Sequence, residues 1–170
     1  MAVRSRSTRR ASVDEFTATE HDTAEEKAMA ANALVRFIEA ECPREKFTQR
    51  LYSHLHLHLF GHIAHFDRAG FWHVWFRDAA ARVRFLENAL APIIHDPEYG
   101  VSIAVGHQGD PAHCWSDVER WFAAWITTSD ALDRARAERD HVFEQRERAE
   151  LARLTAKYGP VGADSVDGEQ

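Results

Sequence analysis

Residues 43–67 decide between a helical and a mixed fold, because their apolar side chains fit two periodicities. In steps of three and four they form one stripe of a helix, made of Leu51, Leu55, Leu59, His62 and Phe66. In steps of two, "HLHLHLF" reads as a strand, and "HIAHF-DRAG-FWHVWF" reads as a hairpin around a four-residue turn. We favour the helix, which predicts a mostly α chain. The alternative is an α+β fold with a short hairpin around residues 54–76.

A helix is predicted immediately before this segment by its capping residues and its periodicity. Thr23 and Glu26 have the spacing of a capping box, in which each side chain accepts a hydrogen bond from the other residue's backbone N–H. Pro43 should end this helix, because its nitrogen carries no hydrogen to donate. The apolar residues that recur at helical spacing between them are Ala31, Leu34, Val35, Ile38 and Cys42.

Later capping signals complete a small bundle of about five helices. "DRAG" indicates a break, after which Asp78 can cap a third helix that Pro92 kinks or ends. Ser116 and Glu119 repeat the capping-box spacing ahead of a fourth helix, and "VSIAV" between the two indicates one short strand. The apolar residues of the third helix are Val83, Leu86, Leu90 and Ile93 or Ile94.

The last predicted helix differs from the others because it is rich in charge and poor in core residues. Of the 29 residues from 129 to 157, 14 are charged, with supporting pairs such as Glu144 and Arg148. Its sparse apolar residues keep no strict heptad, so we expect one narrow edge to lie on the bundle or on a partner. The predicted partner-binding residues are Leu132, Val142, Phe143, Leu151, Leu154 and Tyr158.

The composition changes along the chain predict four segments. Residues 1–21 are polar and charge-segregated and are predicted to be a disordered tail. Residues 22–128 form the helical core, residues 129–158 the charged docking helix, and residues 159–170 a second disordered tail.

Five histidines lie between residues 53 and 66, and four of them share one arc of a helix at the border of its apolar stripe. His54 and His65 would be about 16 Å apart along the axis, so only neighbouring pairs can bind one ion. A tetrahedral zinc site therefore needs further ligands, and "GHQGDPAHCW" offers them. The candidate metal ligands are His54, His58, His62, His65, His107, His113 and Cys114. The other interpretations are imidazole rings that simply pack at the edge of the core, and a pH-responsive contact.

The net charge, the length of the apolar runs and the cysteine content limit the classes of function that this chain can have. A net charge of −6 argues against a broad nucleic-acid surface, and no apolar run has the length of a membrane span. Two cysteines outside any C-x-x-C pair suit a reducing cytoplasm. Since no catalytic constellation is recognisable, the sequence favours an accessory or regulatory protein that binds another protein or itself. The alternative is a histidine-rich protein that binds zinc or another transition metal, as a metal-dependent hydrolase or oxidase if it is an enzyme.

Overall fold

The protein is mostly helical, as predicted. The computed structural model describes residues 9–59, 66–90, 93–96, 101–104 and 109–159. In these ranges the helices are α1 (Ala24–Glu39), α2 (Gln49–His54), α3 (Arg68–Trp75), α4 (Ala79–Leu90), α5 (Ser116–Thr128) and α6 (Ala131–Tyr158). A π turn (Leu55–Leu59) continues α2, and two 3-10 turns comprise Val13–Glu15 and Arg44–Lys46. Among the described helices, none has the length and apolarity needed to cross a bilayer.

Helix α1 begins with the predicted capping box. Thr23 Oγ1 accepts the Glu26 N–H at 3.1 Å, and Glu26 Oε2 accepts the Thr23 N–H at 2.8 Å. The helix ends one turn before Pro43, where Glu41 and Cys42 take left-handed backbone angles with φ of 64° and 56°. The Cys42 N–H then bonds to the Phe37 carbonyl at 3.0 Å, which closes the last turn.

The helical interpretation of residues 43–67 is confirmed for the residues that the structure describes, with two corrections. The helix is not continuous: a 3-10 turn precedes α2, and the π turn follows it. The alternative hairpin is not formed by the described residues of 54–76, since Leu55–Leu59 and Arg68–Trp75 are helical. Residues 60–65 lie outside the described ranges.

The predicted break at "DRAG" is confined to its first residue, Asp67, and Arg68 begins α3. Asp67 is the N-cap, and its Oδ1 accepts the Gly70 N–H at 2.7 Å. A Cβ on Gly70 would lie 3.1 Å from both this oxygen and Phe66 Cβ, so the close approach favours glycine. Within "DRAG", Asp67 is therefore an N-cap, and Gly70 donates the backbone N–H that it accepts.

Two of the later predictions are confirmed and two are corrected. Asp78 caps α4, accepting the Ala81 N–H at 2.9 Å, but α4 ends at Leu90. "VSIA" forms strand β2 (Val101–Ala104), which pairs antiparallel with an unpredicted strand β1 (Ile93–Asp96). The predicted capping box of the fourth helix is absent: Ser116 Oγ donates to the Gly109 carbonyl at 2.8 Å, and Glu119 is buried.

The N-terminal segment packs on the bundle from residue 9 onward, whereas the sequence predicted disorder up to residue 21. Phe16 is buried and makes an edge contact with the Trp121 ring, at 6.3 Å between centroids. The Ala11 backbone exchanges two hydrogen bonds with the Asn32 side chain, of 3.0 and 2.9 Å. Disorder was predicted from the polar, charged composition of this segment, which does not show that the single side chain of Phe16 can anchor it in an aromatic core.

Only the first two turns of α6 belong to the core. Ala131, Leu132 and Ala135 are buried, and an ion pair between Arg82 and Glu138 fixes the helix to α4. Beyond residue 139 every described side chain of α6 is exposed. The helix therefore extends about 30 Å past its last core contact.

Candidate functional site

Two of the four predicted histidines lie against the same aromatic ring. The His58 imidazole stacks on the Trp115 indole with centroids 4.5 Å apart and planes 14° from parallel. The His54 imidazole stacks on it at 5.4 Å and 28°. The two imidazole centroids are 6.4 Å apart, so Trp115 holds both rings side by side at the start of α5.

The π turn Leu55–Leu59 carries one of these histidines. Leu55 and Leu59 are buried in the core, while Leu57 is exposed and His58 reaches the indole. A single π turn within a helix is rare and frequently marks a functional position. The local backbone is thus irregular where the imidazoles gather.

Asp22 completes the contact from the N-terminal segment. Its Oδ2 accepts the Trp115 Nε1–H at 2.9 Å. This hydrogen bond lowers the pKa of Asp22, burial opposes the shift, and His58 lowers the pKa further. Burial lowers the pKa of His54, and the neighbouring Arg50 and His58 add to that effect. An ionised carboxylate and a neutral His54 imidazole therefore flank the indole near pH 7.

A cleft of about 360 Å³ opens beside this stack. Three of the predicted metal ligands, His58, His113 and Cys114, line it, together with His21 and Asp22, which were not predicted. The Cys114 thiol donates to the Asp110 carbonyl at 3.2 Å, and the His113 ring is largely exposed. In the described ranges, no three histidine, cysteine or carboxylate side chains surround a common metal position.

Of the remaining predicted ligands, the structure describes only His54. His54 stacks on Trp115 but does not line the cleft. The predicted ligands that lie outside the described ranges are His62, His65 and His107. One weak signal in the sequence pointed to the missed Trp115, which directly follows the predicted ligands His113 and Cys114.

Helix α6 separates the predicted partner-binding residues into three groups. Leu132 lies in the core with 9% of its surface exposed. Val142 continues the edge of α6 that begins with the buried Ala131 and Ala135, since these positions are four, seven and eleven residues apart on one face. The other four residues share a different arc of about 80°. We call this set the α6 stripe: Phe143, Leu151, Leu154 and Tyr158.

The α6 stripe is open to solvent. Phe143, Leu151 and Tyr158 are 61%, 63% and 71% exposed, and Leu154 is 39% exposed. The stripe lies about 140° round the helix from the edge formed by Ala131 and Ala135, but only about 60° from the third buried residue, Leu132. Phe143 lies three turns beyond Leu132 on the same face, so the stripe continues that face into solvent, beyond the residues that pack on the bundle.

The charges of α6 are of both signs, and three ion pairs form within the helix. The predicted pair Glu144–Arg148 is present at 3.4 Å, and Arg153 contacts Glu150 at 2.6 Å. Exposed pairs of this kind stabilise the helix by only about 0.3–0.5 kcal/mol each. They keep an isolated helix soluble without covering the stripe.

Comparisons of the chain with protein-family models, with curated proteins and with solved structures each gave no match. The cleft and the α6 stripe are therefore interpreted from their own chemistry.

Proposed function

We propose that this protein is an accessory or regulatory protein that binds a protein chain through the α6 stripe. One observation carries the proposal: four large apolar side chains lie on one face of α6, exposed and beyond the residues that pack on the bundle. Glu147 lies between Phe143 and Leu151 on this face, and large apolar side chains grouped and exposed in this way mark a surface that a partner can cover.

The composition of the stripe suits a helix-binding contact. Phe143 and Tyr158 lie at its two ends, with Leu151 and Leu154 between them. Aromatic residues are enriched at the centres of protein interfaces, where they bury large areas with few rotatable bonds. Apolar residues repeated along one helix face typically bind in a hydrophobic groove or against a second helix. Two cysteines without a disulfide suit a reducing, cytoplasmic setting for this contact.

The proposal is tested by sedimentation of the fluorescently labelled chain in cell extract. The wild-type chain should sediment as a complex heavier than its own 19.4 kDa. The double variant Leu151→Glu/Leu154→Glu should return to the monomer, because two buried carboxylates would remain unpaired in the interface. The matched control is Ala149→Glu/Ala156→Glu, which adds the same charge on the opposite face of α6 and should leave the complex intact. A wild-type chain that sediments as a monomer in extract would overturn the proposal.

A second candidate function is transition-metal binding at the cleft beside Trp115. The observation that favours it is that His58, His113 and Cys114, chosen as ligands from the sequence, line one cleft with His21. Imidazole and thiolate are the ligands that zinc prefers. The His113 and His21 rings are exposed and can rotate, although the present side-chain positions form no three-ligand group in the described ranges.

Calorimetric titration with Zn²⁺ of untagged protein tests this candidate. We expect one ion per chain, with affinity lost in His58→Ala and in His113→Ala but retained in the exposed control His141→Ala. No saturable binding, or equal affinity in all three variants, would exclude metal binding at this cleft.

A further inference from the structure

We infer that the α6 stripe binds a second copy of this chain, with the two α6 helices antiparallel. This inference rests on the proposed function and names its partner. Three residues of the stripe are nearly symmetric about Leu151, because Phe143 and Tyr158 lie eight and seven residues away on either side, while Leu154 would be level with Glu147 and Arg148 of the second copy. When the two Leu151 residues face each other, Phe143 of one copy is level with Tyr158 of the other.

The charge distribution along α6 favours the antiparallel orientation. From residue 138 to residue 150 the helix carries five acidic and three basic side chains, whereas beyond residue 150 its only charged side chains are Arg153 and Lys157. Antiparallel pairing brings this basic end beside the acidic part of the second copy, around Glu144 and Glu147. Parallel pairing would place the two basic ends together. Opposite charges across a helix pair fix its orientation in this way.

The rest of the chain gives an independent reason for the same orientation. Helix α6 contains seven basic and six acidic residues, whereas residues 1–130 contain 14 basic and 18 acidic residues, so the bundle carries a net charge of −4. With the two Leu151 residues face to face, antiparallel helices hold the last bundle contacts of the two copies, at Glu138, about 40 Å apart. Screening at physiological salt acts over about 8 Å, so repulsion across that distance is small. Parallel helices would place the bundles side by side.

Charge also argues for a second copy over a strongly charged partner. Acidic and basic side chains alternate beside the stripe, as in the pairs Glu144–Arg148 and Glu150–Arg153. A partner whose surface carried charges of only one sign would face charges of the same sign at about half of the charged positions beside the α6 stripe. A second α6 helix supplies both signs in the reverse order, which a two-fold axis requires of a self-complementary surface.

Cysteine cross-linking tests the register and the orientation together. The background is Cys114→Ser, in which the remaining Cys42 is 1% exposed. Leu151→Cys should form a disulfide-linked dimer under mild oxidation. Phe143→Cys and Tyr158→Cys should link to each other at least about tenfold faster than either links to itself, since pairing raises the local thiol concentration. The control Arg153→Cys, on another face of α6, should remain monomeric.

Light scattering of the unmodified chain provides the second readout. A mass approaching twice 19.4 kDa at high concentration is expected, with return to the monomer in Leu151→Glu/Leu154→Glu. A monomeric mass at all concentrations, or Phe143→Cys linking to itself as fast as to Tyr158→Cys, would overturn the inference. If the purified chain is monomeric while a stripe-dependent complex persists in extract, the second-copy inference fails and the proposed function stands.

Discussion

Lys27 and Asp117 form a buried ion pair, with the Lys27 Nζ 3.0 Å from Asp117 Oδ1 and no exposed surface on the lysine. The ammonium also donates to the carbonyls of Pro111 and Cys114, both at 2.9 Å, so each of its hydrogens has an acceptor. Asp117 Oδ2 accepts the Thr17 N–H at 2.9 Å. The pair therefore joins α1, α5, the N-terminal segment and the loop that leads to Trp115.

Replacing Lys27 by Met should destabilise the fold by about 3–5 kcal/mol, because it leaves the Asp117 carboxylate buried without its counter-ion. Urea unfolding measures this change. The double variant Lys27→Met/Asp117→Asn should be more stable than Lys27→Met alone, since it removes the unpaired charge. A loss below about 1 kcal/mol in Lys27→Met would show that the pair does not hold these segments together.

Glu119 should make the fold less stable as the pH rises. Burial raises the pKa of Glu119 from 4.5 to about 8. Between these values the unfolded chain has released the proton that the folded chain retains, so stability falls as the pH rises from 4.5 to 8 and then levels off. Relative to wild type, Glu119→Gln should gain up to about 4 kcal/mol between pH 5 and pH 9 in urea unfolding. Parallel pH profiles for the two proteins would contradict this assignment.

His54 should make the fold less stable as the pH falls, which is the reverse of the effect of Glu119. Burial lowers the pKa of His54, with Arg50 and His58 adding to the shift. As the pH falls through the ordinary value of 6.5, the unfolded chain takes up a proton that the folded chain resists, so stability is lost in mild acid. Thermal unfolding at pH 7.5 and pH 5.5 should show a smaller acid loss in His54→Gln than in wild type. The exposed His141→Gln should keep the wild-type loss; an equal reduction in both variants would exclude His54 as the cause.

The left-handed end of α1 predicts opposite effects for glycine at two neighbouring glutamates. Glu41 has φ of 64° and is exposed, so Glu41→Gly should stabilise the fold by about 1 kcal/mol. Glu39 is the last residue of α1, also exposed, and Glu39→Gly should cost about 0.5–1 kcal/mol. Denaturant unfolding compares the two, and a loss in both variants would contradict the conformational argument.

The helices were predictable where a local signal coincides with the tertiary structure. The caps Thr23 and Asp78 form as predicted because an Ncap hydroxyl or carboxylate needs only its own first turn. The predicted cap at Ser116 does not form, because the Ser116 hydroxyl donates to the Gly109 carbonyl and Glu119 is buried in the core. The spacing of neighbouring residues does not reveal such competing contacts, because they depend on how the chain packs.

The candidate site was predictable only in part, for the same reason. The sequence selected His58, His113 and Cys114, and these residues do line one cleft. It did not predict that Trp115 would hold two imidazoles, or that Asp22 would bond to the indole from 93 residues away. In α6 the sparse apolar pattern was recognised, but only the packing of Ala131 and Ala135 separates the stripe from the edge that carries Val142.

Photo-cross-linking from the centre of the α6 stripe tests the central claim most directly. A benzophenone amino acid at position 147, between Phe143 and Leu151, should give a covalent adduct with a protein chain when cells are irradiated. The same group at position 149, on the far side of α6, should give little or none. Adducts that form equally from both positions, or from neither, would contradict the account that this face of α6 binds protein.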